Sequence, residues 1–347
     1  MISNEIFSWL ELIDGSAFCV KDGAIIAANT AAEKRSLRIG TDIRQIVTAH
    51  RAEYETFQDG ELYLTISVEG LPCSASVLRT REFDIFRLHG GKEDGALQAL
   101  ALASVQLRIP LANAMTAADE LLRSLPEGAE AGHLTRNLFQ LMRIIGNMAD
   151  ANSNYNTSMQ VVDISALINE IAKKVQTFCE DSGVTLEYTG VDAPIFSLAN
   201  SEKLERAVYN LLSNALKFAP SGSAVTASLS KSGSQVIFTV TNSASETPST
   251  SSFWQQYLRE PAIEDPRRGL GLGMTLVTSA AALHGGTVLV DRPATNKVRV
   301  TMAIPISSDD STTVRSPILR ISDYAGGWDK GLIELSEILS ANVYNKD

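Results

Sequence analysis

Basic residues are the minority charge in this chain, with 30 Lys and Arg against 40 Asp and Glu and a net charge of −10. Nucleic acid and anionic membranes need a basic field to hold them, so neither is an expected partner. Cysteine is nearly absent, at three in 347 residues. Cys19, Cys73 and Cys179 stand far apart and in no metal-ligand spacing. That pattern excludes a disulfide framework and fits a reducing compartment. No apolar run approaches the ~18 residues that a membrane span requires. Residues Met1 to Ile6 lack the basic stretch and apolar core of a secretory leader. A cytoplasmic location without a membrane span is therefore expected. Histidine is scarce too, with only four in the chain.

What is present is enough apolar sequence for real cores: 44% of residues are hydrophobic and 20% charged. The length predicts two or three domains. Across residues 1–90 short strand-like and helical runs alternate. Phe18 to Val20 and Ala24 to Ala28 flank Asp22-Gly23, and Glu61 to Val68 and Ser74 to Leu78 flank Gly70. Both read as hairpins. Phe83 to Leu88 is a last strand, and Asn29-Thr-Ala-Ala-Glu opens a helix. The order resembles a PAS-type sensor domain. With no His or Cys placed to hold haem or flavin, a dimerising or signal-relaying role is expected for it.

After the hinge His89-Gly-Gly-Lys-Glu-Asp-Gly the apolar period lengthens. Leu97, Leu100, Ser104, Leu107, Leu111, Ala114, Ala118, Leu121 and Leu125 are spaced three and four apart. Past the break at Pro126, the series Leu134, Leu138, Leu141, Ile145, Met148, Asn152 and Tyr155 repeats the spacing. Residues 93–158 thus read as an antiparallel helical hairpin, and two hairpins make a four-helix bundle in a homodimer.

The string Ser104-Val-Gln-Leu-Arg-Ile-Pro-Leu111 resembles the phosphoacceptor box of bacterial sensor histidine kinases, Ser-His-Glu-Leu-Arg-Thr-Pro-Leu. The resemblance puts Val105 at the phosphorylated histidine and Gln106 at the adjoining carboxylate. Valine has no lone pair to attack phosphorus, and a neutral amide is no base. In many members the residue four beyond the histidine positions the water for phosphatase activity. Here it is Ile109, which has no hydrogen-bonding side chain.

From 162 to 306 helix and strand alternate as in a two-layer α/β sandwich. Asn210-Leu-Leu-Ser-Asn-Ala-Leu-Lys-Phe-Ala-Pro220 resembles the N-box of the GHKL ATP-binding fold shared by histidine kinases and gyrase-type enzymes. Asn210, Asn214 and Lys217 fall on neighbouring helical turns. The resemblance implies that Asn214 coordinates Mg²⁺, Lys217 meets phosphate and Phe218 flanks the nucleoside. Arg268-Gly-Leu-Gly-Leu-Gly273 matches the second glycine box. Its Gly269, Gly271 and Gly273 admit backbone N–H groups to phosphates before a helix from near Met274. Leu283-His-Gly-Gly-Thr-Val follows, with His284 a packing or turn residue. Phe253 to Arg259 resembles the segment that anchors the lid over the nucleotide. The first glycine box is degenerate: Asn242-Ser-Ala-Ser-Glu246 stands where Asp-x-Gly-x-Gly is expected. Asn242 can still accept a bond from adenine, but without charge assistance, a deficit of about 1 kcal/mol. Ala244 and Glu246 replace the glycines where the lid bends. Weak binding of ATP or ADP with Mg²⁺ is expected.

The sequence is therefore that of an α+β multidomain chain: a PAS-like unit at 1–90, the helical hairpin at 93–158, and the GHKL sandwich at 162–306. A polar linker and tail follow at 307–347, where Leu332, Leu335 and Leu339 predict a short amphipathic docking helix. The function it implies is two-component signalling by a pseudokinase without its acceptor, a dimer that responds to nucleotide or docks a response regulator or partner kinase. The alternative is an active kinase with a displaced acceptor such as His133.

Overall fold

Two Asp-Gly or Glu-Gly turns set the first strands. In this computed structural model Asp22 and Gly23 have φ of 51° and 80°, and Glu69 and Gly70 have 53° and 80°. Positive φ at both central residues is the turn whose twist matches paired strands. It joins β1 (Ala17–Lys21) to β2 (Ala24–Ala28), and β3 (Glu61–Val68) to β4 (Leu71–Arg79). The structure describes residues 2–13, 15–89, 93–124, 129–150, 158–179, 183–243, 272–306 and 328–345.

Helix α1 (Ile2–Leu10) precedes these strands, and α2 (Thr30–Glu33) and α3 (Arg51–Thr56) lie between the hairpins, with β5 (Asp84–Leu88) closing the unit. Asn29 caps α2 by accepting from the Ala32 N–H at 2.9 Å, and the same oxygen accepts from Ala17 N–H at 3.1 Å. Its amide nitrogen donates to the Leu10 and Gly15 carbonyls. One buried amide thus ties α1, β1 and α2 together. The core beneath holds Phe18 stacked on Phe86 at 4.8 Å, with Leu62, Leu64, Ile66 and Val77 around them.

Helices α4 (Glu93–Ser124) and α5 (Ala129–Asp150) pack against each other. The apolar seam of α4 divides between two faces. Ser104, Met115 and Ala118 are buried and Leu111 is half-buried against the core. Leu107, Ala114 and Leu121, a heptad apart, stay exposed, as do Leu134 and Leu141 on α5. Pro110 lies inside α4 without ending it.

The C-terminal half comprises β6 (Gln160–Asp163), α6 (Ile164–Cys179), β7 (Thr185–Thr189), β8 (Phe196–Ala199) and α7 (Ser201–Phe218). It continues through β9 (Ala224–Ser232), β10 (Gln235–Ser243), α8 (Leu272–Leu283), β11 (Thr287–Ala294) and β12 (Lys297–Pro305). Helix α7 is capped by Asn200, whose side chain accepts from Lys203 N–H at 2.9 Å. Ser201 is therefore the first helical residue. The inward residues of β10, Val236, Phe238 and Val240, alternate as a half-buried strand requires. They meet Leu204, Val208 and Leu211 of α7 and Val277 and Ala281 of α8 in one core.

The two halves share a sheet. Its order is β2-β1-β5-β4-β3-β11-β12-β10-β9-β7, antiparallel except for the parallel pair β7–β9. The joint is β3 on β11, with Glu61, Leu62 and Tyr63 opposite Val290, Leu289 and Val288. Gln235 also donates to Glu53 at 2.9 Å across the two halves. Among the described residues the mixed α/β fold thus has ten strands in one continuous sheet, although its sequence patterns fall into separate blocks.

From Trp328, helix α9 (Lys330–Glu334) and the turns to Asn345 lie against α5, α6 and α7. Leu335 and Leu339 are buried, joining Ile333 and Tyr344 in the core of the C-terminal half. The expected docking leucines are there, on a helix of five residues followed by turns.

Candidate nucleotide site

Helix α7 gives the candidate site its floor. Asn210 is fully buried, and its Nδ2 donates to the Arg206 carbonyl one turn back at 2.9 Å. Its Oδ1 is buried with no hydrogen-bond partner among the described residues. A buried amide oxygen left open is uncommon and costs free energy unless something meets it. Asn214 lies one turn on and is half-buried. Gly273, in the first turn of α8, faces both amides. A Cβ there would come within 3.2 Å of Asn210 Oδ1 and Asn214 Nδ2. A side chain there would press on both amides, and glycine leaves room for α8 to bring its N-terminal end, with unsatisfied N–H groups and a positive dipole, against the amides of α7. An open acceptor, a second amide and a helix N-terminus fit an anionic, metal-bearing ligand such as a nucleotide phosphate with Mg²⁺.

Asn242 sits on the same side of the sheet. It follows Val240 in the inward register of β10, pairs with Val298 of β12, and is nearly buried. Its Nδ2 donates to the Ser243 carbonyl at 2.9 Å. Strand β10 runs on past Val240 to Ser243, because β12 supplies partners as far as Lys297. Phe218 at the end of α7 is exposed, with the Lys217 ammonium 5.8 Å from its ring centre. Gly269 and Gly271 lie outside the described residues. So do Ala244 to Glu246 and the Phe253 to Arg259 segment.

Lys217 is engaged. Its ammonium donates to Glu337 Oε2 at 2.8 Å, and its side chain is only 7% exposed. Burial alone would raise the Glu337 carboxyl, but Arg143 and Lys217 outweigh it and hold that group below the ordinary glutamate value. Arg143 Nη1 lies 3.0 Å from Glu337. Its Nε stands 3.5 Å from Glu334, which lies the same distance from Arg206 Nε. Arg206 also donates to the Gly146 carbonyl and to Asn147, and Arg143 donates to Ser213. These two arginines lock α5 to α7. No local pattern encodes these pairings, because the partners lie far along the chain, from Asn147 for Arg206 to Glu337 for Arg143.

The acceptor-like stretch lies on α4. Ser104 is buried, whereas Gln106, Leu107, Arg108 and Pro110 are exposed and Ile109 is 69% exposed. Val105 occupies the helix between Ser104 and Gln106. His133 is exposed on the first half of α5. His284 sits at the end of α8, its Nε2 accepting from Asn200 N–H at 2.9 Å and its Nδ1 2.6 Å from the Ala280 carbonyl. That pairing leaves it a structural clasp between α8 and the cap of α7. Burial lowers its pKa, and the Ala280 bond offsets part of the effect.

Residues 199–308 match the family described as histidine kinase-, DNA gyrase B-, and HSP90-like ATPase. The chain is 24% identical over 226 residues to hybrid signal transduction histidine kinase D of Dictyostelium discoideum, covering 60% of this chain and 15% of that one. It is 28% identical over 213 residues to the adaptive-response sensory kinase SasA of Synechocystis, covering 56% and 55%. The chain thus spans about half or less of these relatives' lengths. Among solved structures, histidine kinase ThkA in complex with response regulator protein TrrA covers 86% of this chain and 98% of its own at 15% identity and a TM-score of 0.42. No described helix is long and apolar enough to cross a membrane.

Proposed function

The chain belongs to the sensor histidine kinase family, and from that premise we propose that it is a dimeric pseudokinase of two-component signalling. In this reading it has three units: a PAS-like relay at 1–90, a dimerising helical hairpin at 93–158 and a nucleotide-binding GHKL domain at 162–306. The observation that carries the reading is the acceptor-like stretch of α4, where Gln106 and Ile109 are exposed. There Val105, Gln106 and Ile109 stand where the family places nucleophile, base and water-positioning group. An aliphatic side chain forms no bond to phosphorus. In this reading the stretch keeps Ser104, Leu107, Arg108, Pro110 and Leu111 of the acceptor box without the groups that perform phosphoryl transfer.

Bound Mg·ATP would present its phosphates to the gap between α7 and α8. Asn214 would hold the ion through its amide oxygen, and Asn210 Oδ1 would gain a partner. Lys217 and the backbone N–H groups of Gly269, Gly271 and Gly273 would meet phosphate. Asn242 would accept from the adenine amino group and Phe218 would flank the nucleoside. With no acceptor, the energy of nucleotide binding is available to set the position of the GHKL domain against the hairpin, and so the surface offered to a response regulator or partner kinase. The continuous β3–β11 joint offers the PAS-like unit a direct route to the same domain.

Calorimetry of the full chain with Mg·ATP and Mg·ADP tests the nucleotide half of this reading. Weak binding that Asn214→Ala abolishes supports it. The absence of both heat and thermal shift at millimolar nucleotide contradicts it. A second reading, an active kinase with a displaced acceptor, draws on the exposed imidazole of His133.

A further inference from the structure

The Glu337 carboxylate stands on the lysine that the nucleotide reading assigns to phosphate. We propose that residues 328–345 are an internal ligand of the nucleotide site, which nucleotide must displace from Lys217 before it binds fully. A carboxylate and a phosphate oxygen are interchangeable acceptors for an ammonium group. At 2.8 Å, with the lysine side chain 7% exposed, the position is filled.

The segment is built to hold that carboxylate there. Its acidic groups meet cations on three helices: Asp329 on Lys174 of α6 at 2.7 Å, Glu334 between Arg206 of α7 and Arg143 of α5, and Glu337 between Arg143 and Lys217. Lys330 returns a charge to Glu205 of α7 at 2.6 Å. The Ser336 carbonyl accepts from Arg136 and Gln140 of α5, at 3.0 and 2.9 Å. Beneath them Ile333, Leu335 and Leu339 enter the core, and Phe139 meets Trp328 and Tyr344 edge-on at 5.4 and 5.5 Å. A five-residue helix has no stability of its own, so this docking is what orders it.

Competition has two consequences. The apparent affinity for nucleotide is lowered by the fraction of molecules in which the carboxylate is off the lysine. Nucleotide binding in turn loosens a segment that also grips α5, so occupancy of the site is communicated to the helical pair. Both consequences rest on the nucleotide reading of α7 and α8.

The test compares wild-type full chain with Glu337→Gln, which keeps the side chain's size and removes its charge. Two readouts are made: calorimetry with Mg·AMPPNP, and hydrogen exchange over 328–345 with and without that nucleotide. The variant is expected to bind about tenfold more tightly than wild type, and nucleotide is expected to speed exchange over 328–345 in wild type. Equal, measurable affinities with exchange unchanged by nucleotide overturn the internal ligand and leave the nucleotide site standing. No binding by either protein overturns the nucleotide reading, and the internal ligand with it. The wild-type exchange measurement needs no variant, so it decides the matter even if the substitution disturbs folding.

Discussion

Leu62 of β3 faces Leu289 of β11, and this register carries one sheet from the N-terminal unit into the ATPase fold. Just before it, Gly60 takes φ of +97°, and a Cβ there would fall 2.1 Å from the Val290 carbonyl. Alanine at this position meets both a disfavoured backbone conformation and a backbone clash. Gly60→Ala is expected to cost about 2–4 kcal/mol of stability, read from the urea midpoint. A variant as stable as wild type would mean that the two sheets are not joined at this register.

Glu334 stands between two arginine side chains that are 5% and 3% exposed. Removing it leaves both guanidinium groups buried without their common counter-ion. Glu334→Ala is expected to destabilise the protein by about 3–5 kcal/mol and to expose 328–345 to protease. A loss under about 0.5 kcal/mol, typical of an exposed ion pair, would show that the segment does not dock there.

Burial, aided by the nearby charge of Arg87, lowers the His89 pKa from 6.5 to about 4. In the unfolded chain this imidazole takes a proton below 6.5, whereas in the folded protein it stays neutral until about 4. Its contribution to stability is full above the unfolded value and drains away as pH falls across that window, by up to about 3 kcal/mol. Glu61, whose carboxyl burial raises, works in the opposite sense. Comparing wild type with His89→Asn isolates the histidine: the variant is expected to lose less stability between pH 6.5 and 4. Parallel curves would mean that His89 is solvated.

The exposed Leu107, Leu121, Leu134 and Leu141 form the face on which the proposed dimer would close. Leu111, in the same sequence seam, turns into the chain's own core. Leu107→Asp with Leu141→Asp is therefore expected to yield folded monomers, since each buried leucine is worth about 1.5–3 kcal/mol. Sedimentation of wild type as a monomer at micromolar concentration would contradict the dimer.

Much of the fold was legible because the signals were local. The turn residues Asp22-Gly23 and Glu69-Gly70 set both hairpins, and the β10 alternation placed Asn242 inward. The spacing of Asn210 and Asn214 put both amides where Gly273 meets them. What escaped was long-range. Nothing in Glu61-Leu-Tyr announces that its edge will pair with Val288-Leu-Val, because backbone pairing across a sheet is blind to side-chain pattern. The ion pairs of the tail's acidic residues are not legible either, since their cations on α5, α6 and α7 have no fixed offset in sequence. The division of the α4 seam was hidden as well, because a heptad gives the stripe and not which partner covers it.

The proposed pseudokinase keeps the frame of a histidine kinase without the group that accepts phosphate. The most direct test is incubation of the full chain with γ-labelled ATP and Mg²⁺, followed by assay of acid-labile, base-stable phosphate and mapping of any label. Wild type is expected to carry none. The combined Val105→His, Gln106→Glu, Asn242→Asp, Ala244→Gly and Glu246→Gly variant is the one expected to gain it. Robust labelling of the unmodified protein at a histidine, His133 above all, would contradict the claim and make the chain a kinase with a relocated acceptor.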